Sequence, residues 1–159
     1  MSYEAAIQKL VDSGVEFVIV RGWSAILHGG SFMTRDLGLC YSRRPANLKR
    51  LAAALAPYHP RLRDLPQGPP FLWDEVTLRN GTVFTLTTDF GEIDLLAEIS
   101  GVGNYGQAKA NSIPEFSWGR EVWTLDLATL IKAKRAAGRE KDLRIIPELE
   151  ALLEAQEPE

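Results

Sequence analysis

Asp36 heads the stretch DLGLCY and Asp94 lies inside EIDLLAEI, two isolated carboxylates each set in a largely apolar run. Carboxylates on neighbouring strands are the usual protein ligands of magnesium, which bridges phosphate oxygens and holds an attacking hydroxyl in nucleotidyl transfer. That chemistry calls for two acids at i and i+2 on one strand and a third on the next. Here the i+2 position is Gly38, so Asp36 stands alone. Glu92 shares a face with Asp94 by period-two alternation and is a further carboxylate within reach. Upstream, Arg21-Gly22 ends another apolar run, and a glycine turn opening a short helix would present N–H groups to a triphosphate.

The elements that must carry these residues follow from periodicity. Residues 3–12 have Ala6, Ile7, Leu10 and Val11 at helical spacing and stop at Ser13-Gly14. Residues 15–20 are almost wholly apolar and β-branched, which predicts a strand covered on both faces. Gly22 lets the chain turn, and residues 23–28 form two helical turns closed by Gly29-Gly30. In the strand 36–41, Asp36, Gly38 and Cys40 face one way and Leu37, Leu39 and Tyr41 the other. Pro45 opens a helix ending before Pro57, and YHPRLRDLPQGPP reads as a proline-rich loop. Asn80-Gly81 between 75–79 and 82–88 predicts a hairpin. Residues 92–99 form a strand with Glu92 and Asp94 on one face, so that Asp94 points toward Asp36. The small, polar residues 100–114 read as a mobile loop. A short strand at 121–124, a helix with Leu127, Leu130, Ile131 and Lys134 at helical spacing after the cap Asp126 and interrupted by Gly138, and a last segment broken by Pro147 complete the chain. The whole is an α/β (α+β) architecture, a small mixed β-sheet flanked by helices, in one domain over residues 1–159.

Composition narrows the field further. A formal charge of -3 is a poor match to a general nucleic-acid binder, and no apolar run approaches the roughly 20 residues of a membrane helix. One cysteine, Cys40, excludes an internal disulfide framework and fits a reducing compartment. The start MSYEAAIQKL has no basic segment followed by an apolar one, so the expected location is cytoplasmic. His28 reads as structural and His59 as loop surface, since neither has a second histidine or cysteine at metal-ligand spacing.

Four stretches, VIVRGWSAILHGG, MTRDLGLCY, GEIDLLAEI and IKAKRAAGREKDLRII, come in an order that resembles the nucleotidyltransferase-fold superfamily. The likeness is to its small bacterial branch of AbiEii-type toxins and minimal nucleotidyltransferases, and covers nearly the whole chain. It implies a nucleotidyltransferase-like core that moves a nucleoside monophosphate from an NTP to a hydroxyl on RNA, protein or a small molecule, with Mg2+ or Mn2+. Carried over, it makes Gly22 the surviving member of a glycine pair, Asp36 the first metal ligand and Asp94 the third carboxylate, which helps activate the attacking hydroxyl. Thr34 belongs to the same motif, and Lys132 or Lys134 would meet the triphosphate.

Two positions depart from that pattern. Arg21 stands where the first glycine is expected, and Gly38 where the second metal ligand is expected. Arg21 could pair with phosphate oxygens, or fill the space a glycine leaves open. Three readings of Gly38 stay open: an introduced change, Glu92 as a substitute metal ligand, or a relative that binds nucleotide without transferring it. The last would suit one half of a toxin-antitoxin pair. Arg43, Arg44, Lys49 and Arg50 form a basic cluster that could guide an RNA acceptor, and Arg139 with Asp142 reads as a local i, i+3 pair.

Overall fold

The computed structural model describes residues 1–63 and 71–156. Helix α1 (Tyr3–Asp12) leads into β1 (Phe17–Val20), α2 (Arg21–Leu27), β2 (Asp36–Tyr41), α3 (Pro45–Leu55), a 3-10 turn (Ala56–Tyr58) and β3 (Arg61–Leu62). Then come α4 (Glu75–Arg79), β4 (Val83–Thr88), β5 (Gly91–Leu96), β6 (Glu98–Ile99), β7 (Gly103–Asn104) and α5 (Tyr105–Ala110). Strands β8 (Ser112–Ser117) and β9 (Arg120–Leu125) precede α6 (Leu127–Ala137) and α7 (Glu140–Gln156). Among the described residues, seven strands make one mixed sheet in the order β3-β4-β5-β2-β1-β9-β8, and β6 with β7 forms a separate small pair. Strand β2 runs parallel to β5 and antiparallel to β1.

Both faces of the sheet are covered, which is why β1 is four buried apolar residues in a row. One face carries Leu37, Leu39, Ile93 and Leu95 against Ile7 and Leu10 of α1 and Leu48 and Leu51 of α3. The other carries Val18, Val20, Cys40 and Leu96 against Leu127, Leu130 and Ile131 of α6 and Ile146 and Leu149 of α7. A fully buried Leu or Ile stabilises by roughly 1.5–3 kcal/mol, so the two faces fix which side chains of β2 and β5 point where. Gly38 and Asp94 lie on the α6 and α7 face, beside each other in the β2–β5 register. Among the described residues no helix is long and apolar enough to cross a membrane.

Three expected features are otherwise. Residues 75–79 are the helix α4, capped by the Asp74 side chain accepting from Thr77 N–H at 2.7 Å and holding Leu78 fully buried. Neither Asn80 nor Gly81 has the positive φ that a type I′ turn demands, so the dipeptide ends a helix and β4 pairs with β3 and β5 instead. Residues 100–114 are ordered: Asn104 and Gln107 form a reciprocal capping box that starts α5, and β8 follows at Ser112. Pro114 is accommodated because β8 is an edge strand. Helix α7 runs through Pro147 unbroken, with Ile146 and Leu149 on either side of it buried in the second core. Of the proline-rich loop, residues 64–70 lie outside the described residues.

Candidate functional site

Val20, Gly38 and Asp94 stand side by side on the adjacent strands β1, β2 and β5. Arg21, the next residue after Val20, has φ 62, the left-handed region that L side chains avoid. From there its side chain crosses β2 directly over Gly38 and donates from Nη1 to Asp94 Oδ2 at 2.5 Å. A Cβ on Gly38 would sit 2.8 Å from Arg21 Cδ and 3.1 Å from Cγ, so only glycine leaves room for the crossing. The backbone turn expected at Gly22 is therefore made by Arg21. Gly22 serves another need, because a Cβ there would lie 2.8 Å from Thr34 Cβ and Oγ1. Thr34 in turn donates to the Asp36 backbone oxygen at 3.0 Å and lies 3.3 Å from its carboxylate.

Asp94 is 2% exposed and has cations on both oxygens. Besides Arg21, the Arg63 Nη2 lies 2.9 Å from Oδ1, an ion pair whose alignment falls short of a hydrogen bond. Arg63 comes from beside the short edge strand β3, donates to the Leu86 backbone oxygen at 2.7 Å, and lies 3.7 Å from Glu92. Burial and the neighbouring Asp36 carboxylate push the Asp94 pKa up, against the two guanidiniums. Tyr3 ties the strand ends together, donating to the Arg35 backbone oxygen and accepting from Glu92 N–H.

The opposite wall comes from the junction of α6 and α7. Gly138 closes α6 at φ 67, and the chain re-enters a helix at Glu140. Asp142, 1% exposed, receives Arg139 Nε at 2.6 Å and Lys134 Nζ at 3.3 Å. Burial raises the Asp142 pKa, but Arg139 and Lys134 outweigh it and hold the carboxyl below its ordinary value. Lys134 is itself buried, which lowers its pKa, and the charges of Arg139 and Arg21 push the same way against Asp142. The two walls enclose a cleft of ≈ 770 Å³ that meets a smaller cavity of ≈ 270 Å³ at Arg21, Lys134, Arg139 and Asp142. Among the described residues, six basic side chains line the larger cleft (Arg21, Arg35, Arg63, Lys134, Arg139, Lys141) against four acidic ones (Asp36, Glu92, Asp94, Asp142). The balance of these described side chains is +2 in a chain whose total is -3.

Of the residues singled out in the sequence, Arg21, Gly22, Thr34, Asp36, Glu92, Asp94 and Lys134 all line this cleft. Lys132 does not: it is exposed on α6, and two residues at 100° each put it on the far side of the helix from Lys134. Arg63 and Arg35 carried no sequence signal, since nothing local marks either as facing a carboxylate from another strand. Arg139 and Asp142 do make the i, i+3 pair, and Asp142 also holds Lys134. His28 caps nothing catalytic; its ring Nε2 lies 2.6 Å from the Leu125 backbone oxygen.

A divalent ion does not fit these residues. Gly38 supplies no ligand, the Arg21 methylenes occupy the space above it, and both Asp94 oxygens face guanidiniums. Among the described residues no three His, Cys, Asp or Glu side chains converge as ligands. At an effective dielectric of 20, a divalent ion 4 Å from a unit charge feels about 8 kcal/mol, attraction from a carboxylate and repulsion from a guanidinium alike. Two arginines thus offset roughly what Asp36 and Asp94 would contribute.

Solved structures share the architecture. TM1012 of Thermotoga maritima, a candidate nucleotidyltransferase, superposes with a TM-score of 0.60 at 12% identity, covering 94% of this chain and 90% of that one. The lincosamide antibiotic adenylyltransferase LnuA, solved with lincomycin bound, superposes with a TM-score of 0.61 at 13% identity, covering 96% of this chain and 98% of that one. No protein-family profile matches the chain, and no curated protein matches it in sequence. At these identities the likeness establishes the fold, so this chain has the nucleotidyltransferase fold.

Proposed function

We propose that this chain is a single-domain nucleotide-binding module of the small bacterial AbiEii-type branch, which holds the phosphates of an NTP with fixed cations and does not transfer the nucleotide. The observation that carries the reading is the charge of the cleft, +2 within a chain of -3, contributed by residues from both walls. A triphosphate is the kind of ligand such a cleft attracts, because charge-assisted hydrogen bonds from Arg and Lys to phosphate are strong and Arg presents them in pairs. Lys134 lines the cleft and spends one of its three donors on Asp142, which leaves two for a ligand there. The adjoining ≈ 270 Å³ cavity, lined by Val20, Leu96, Leu130 and Ala133, offers apolar surface beside the phosphates.

Metal-dependent transfer of a nucleoside monophosphate to a hydroxyl has one observation in its favour, the adjacency of Asp36 and Asp94. Against it stand the two guanidiniums on Asp94 and the missing ligand at position 38. Thermal unfolding with each of the four NTPs, in EDTA and in magnesium, separates the two. Ligand at 100 times its dissociation constant stabilises by about 2.7 kcal/mol, roughly 5 to 10 °C for a chain of this size. The expected result is a shift in EDTA that Lys134→Met reduces, with no labelled product from an α-labelled NTP. No shift with any NTP would reject the nucleotide reading. A shift confined to magnesium, together with labelled product, would restore transfer.

A further inference from the structure

We infer that Arg21 and Gly38 are a matched pair in which a built-in guanidinium takes the place of a divalent ion, leaving the chain two substitutions from a metal-binding site. The inference takes its ligand from the nucleotide reading but rests on separate observations. Arg21 holds a φ of 62, where a glycine would be relaxed and an arginine is not. Backbone strain of this kind persists only where the surrounding structure over-determines it, and such positions cluster at functional sites. What it places here is a positive charge over the middle of three adjacent strands, against a carboxylate that is 2% exposed. The glycine beneath it is equally constrained, because a Cβ at position 38 would meet the Arg21 stem at 2.8 Å. Each departure from the expected motif therefore makes room for the other.

The acidic framework around the pair is nearly complete. Asp36 and position 38 face the same side of β2, and Asp94 lies level with position 38 on β5. Asp94 Oδ1 makes no hydrogen bond and faces only the Arg63 guanidinium at 2.9 Å, so with Arg21 gone Arg63 is the one cation left on that carboxylate among the described residues. In the protein as it stands, a fixed cation does for phosphate what a bound ion would do, without the need to recruit one. With Arg21 replaced by glycine and Gly38 by aspartate, three carboxylates from two strands would converge with no guanidinium stem between them. Carboxylate oxygens in that number suit a hard divalent cation.

The test is a titration of Mn2+ followed by the paramagnetic resonance signal of the free ion, on proteins checked for folding by far-ultraviolet circular dichroism. The wild type and Gly38→Asp should leave the signal of free Mn2+ unchanged up to about 1 mM, the single variant because its new carboxylate meets Arg21. R21G/G38D should bind Mn2+ at least tenfold more tightly than either, and R21G/G38N, of the same size without the charge, should not. Mn2+ binding by the wild type, or none by a folded R21G/G38D, would overturn the inference. If that variant does not fold, R21G/R63M carries the same test, since it frees Asp36 and Asp94 without adding to the strand, and its failure to exceed the wild type would count equally against the idea. ATP binding to the wild type in EDTA reports on the nucleotide reading alone. Its absence beside a metal-binding R21G/G38D would reject that reading and keep the matched pair, and the reverse pattern would do the opposite.

Discussion

Asp94 and Asp142 are both buried carboxylates held by two cations, yet they are built in opposite ways. Asp142 is served from its own neighbourhood, by Arg139 three residues before it and Lys134 eight before it. Asp94 is served by Arg21 and Arg63, 73 and 31 residues away, and has a second acid, Asp36, beside it. The first carboxyl is held below its ordinary pKa and the second above it. Burial raises both carboxyls: at Asp142 the two cations outweigh it, whereas at Asp94 burial, with Asp36 adding to it, outweighs them. The first arrangement is a latch between helices; the second stores electrostatic tension in the cleft that a ligand would meet.

The largest loss is expected for Asp142→Ala. Removing one partner of a buried pair leaves Lys134 with its charge in the protein interior, a loss of about 3 kcal/mol once the half-exposed Arg139 is discounted. Thermal unfolding should fall by roughly 6 to 12 °C. Asp94→Asn should cost less, about 1 to 2 kcal/mol, because the loss of two ion pairs is offset by the end of the burial cost of its charge and of repulsion from Asp36. If urea melts ranked the two variants the other way, the tension at Asp94 would be absent.

Acidification sharpens the contrast through opposite signs. The Asp142 carboxyl, depressed below 3.8, contributes stability that is full above that pH and is lost as pH falls through its folded value. The Asp94 carboxyl, raised above 3.8, binds its proton more tightly in the folded state, so its contribution rises as pH falls toward 3.8. Urea unfolding at pH 7, 5 and 4 should show the gap between wild type and Asp94→Asn widening on acidification. The gap to Asp142→Ala should hold over that range and close only below it.

How much of this could be read beforehand depended on the range of the interaction. The alternation in β2 and β5 is a period-two pattern written in adjacent residues, and it placed Asp36 and Asp94 on one face before any contact was known. The unbroken apolar run of β1 similarly announced a strand covered on both sides. Arg21 was legible as a departure but not as a bridge, because its reach to Asp94 depends on β2 lying between β1 and β5. Arg63 was invisible for the same reason, being carried beside the two-residue strand β3, which pairs with β4. The misreadings of α4 and α5 were different, since the signals were local. Asp74 before α4 and the Asn104 with Gln107 box before α5 are both in the sequence, and they override the turn signal of Asn80-Gly81 and the run of small residues around Gly101.

The smallest effect isolates burial as the variable. Helix α7 also carries Glu140 and Arg144 at i and i+4, with Arg144 Nη2 3.1 Å from Glu140 Oε1 and side chains 90% and 71% exposed. The pair lies one turn or less from Asp142, has the favourable acid-first order, and makes contact at a similar distance. Water screens it, and an exposed pair of this kind contributes only about 0.3–0.5 kcal/mol. Arg144→Ala should therefore lower the unfolding temperature by no more than about 2 °C, and 1 M salt should erase most of that difference while leaving the Asp142→Ala loss largely intact. A loss at Arg144 as large as that at Asp142 would mean that position in the helix, and not removal from water, sets what a carboxylate and its cations contribute to this fold.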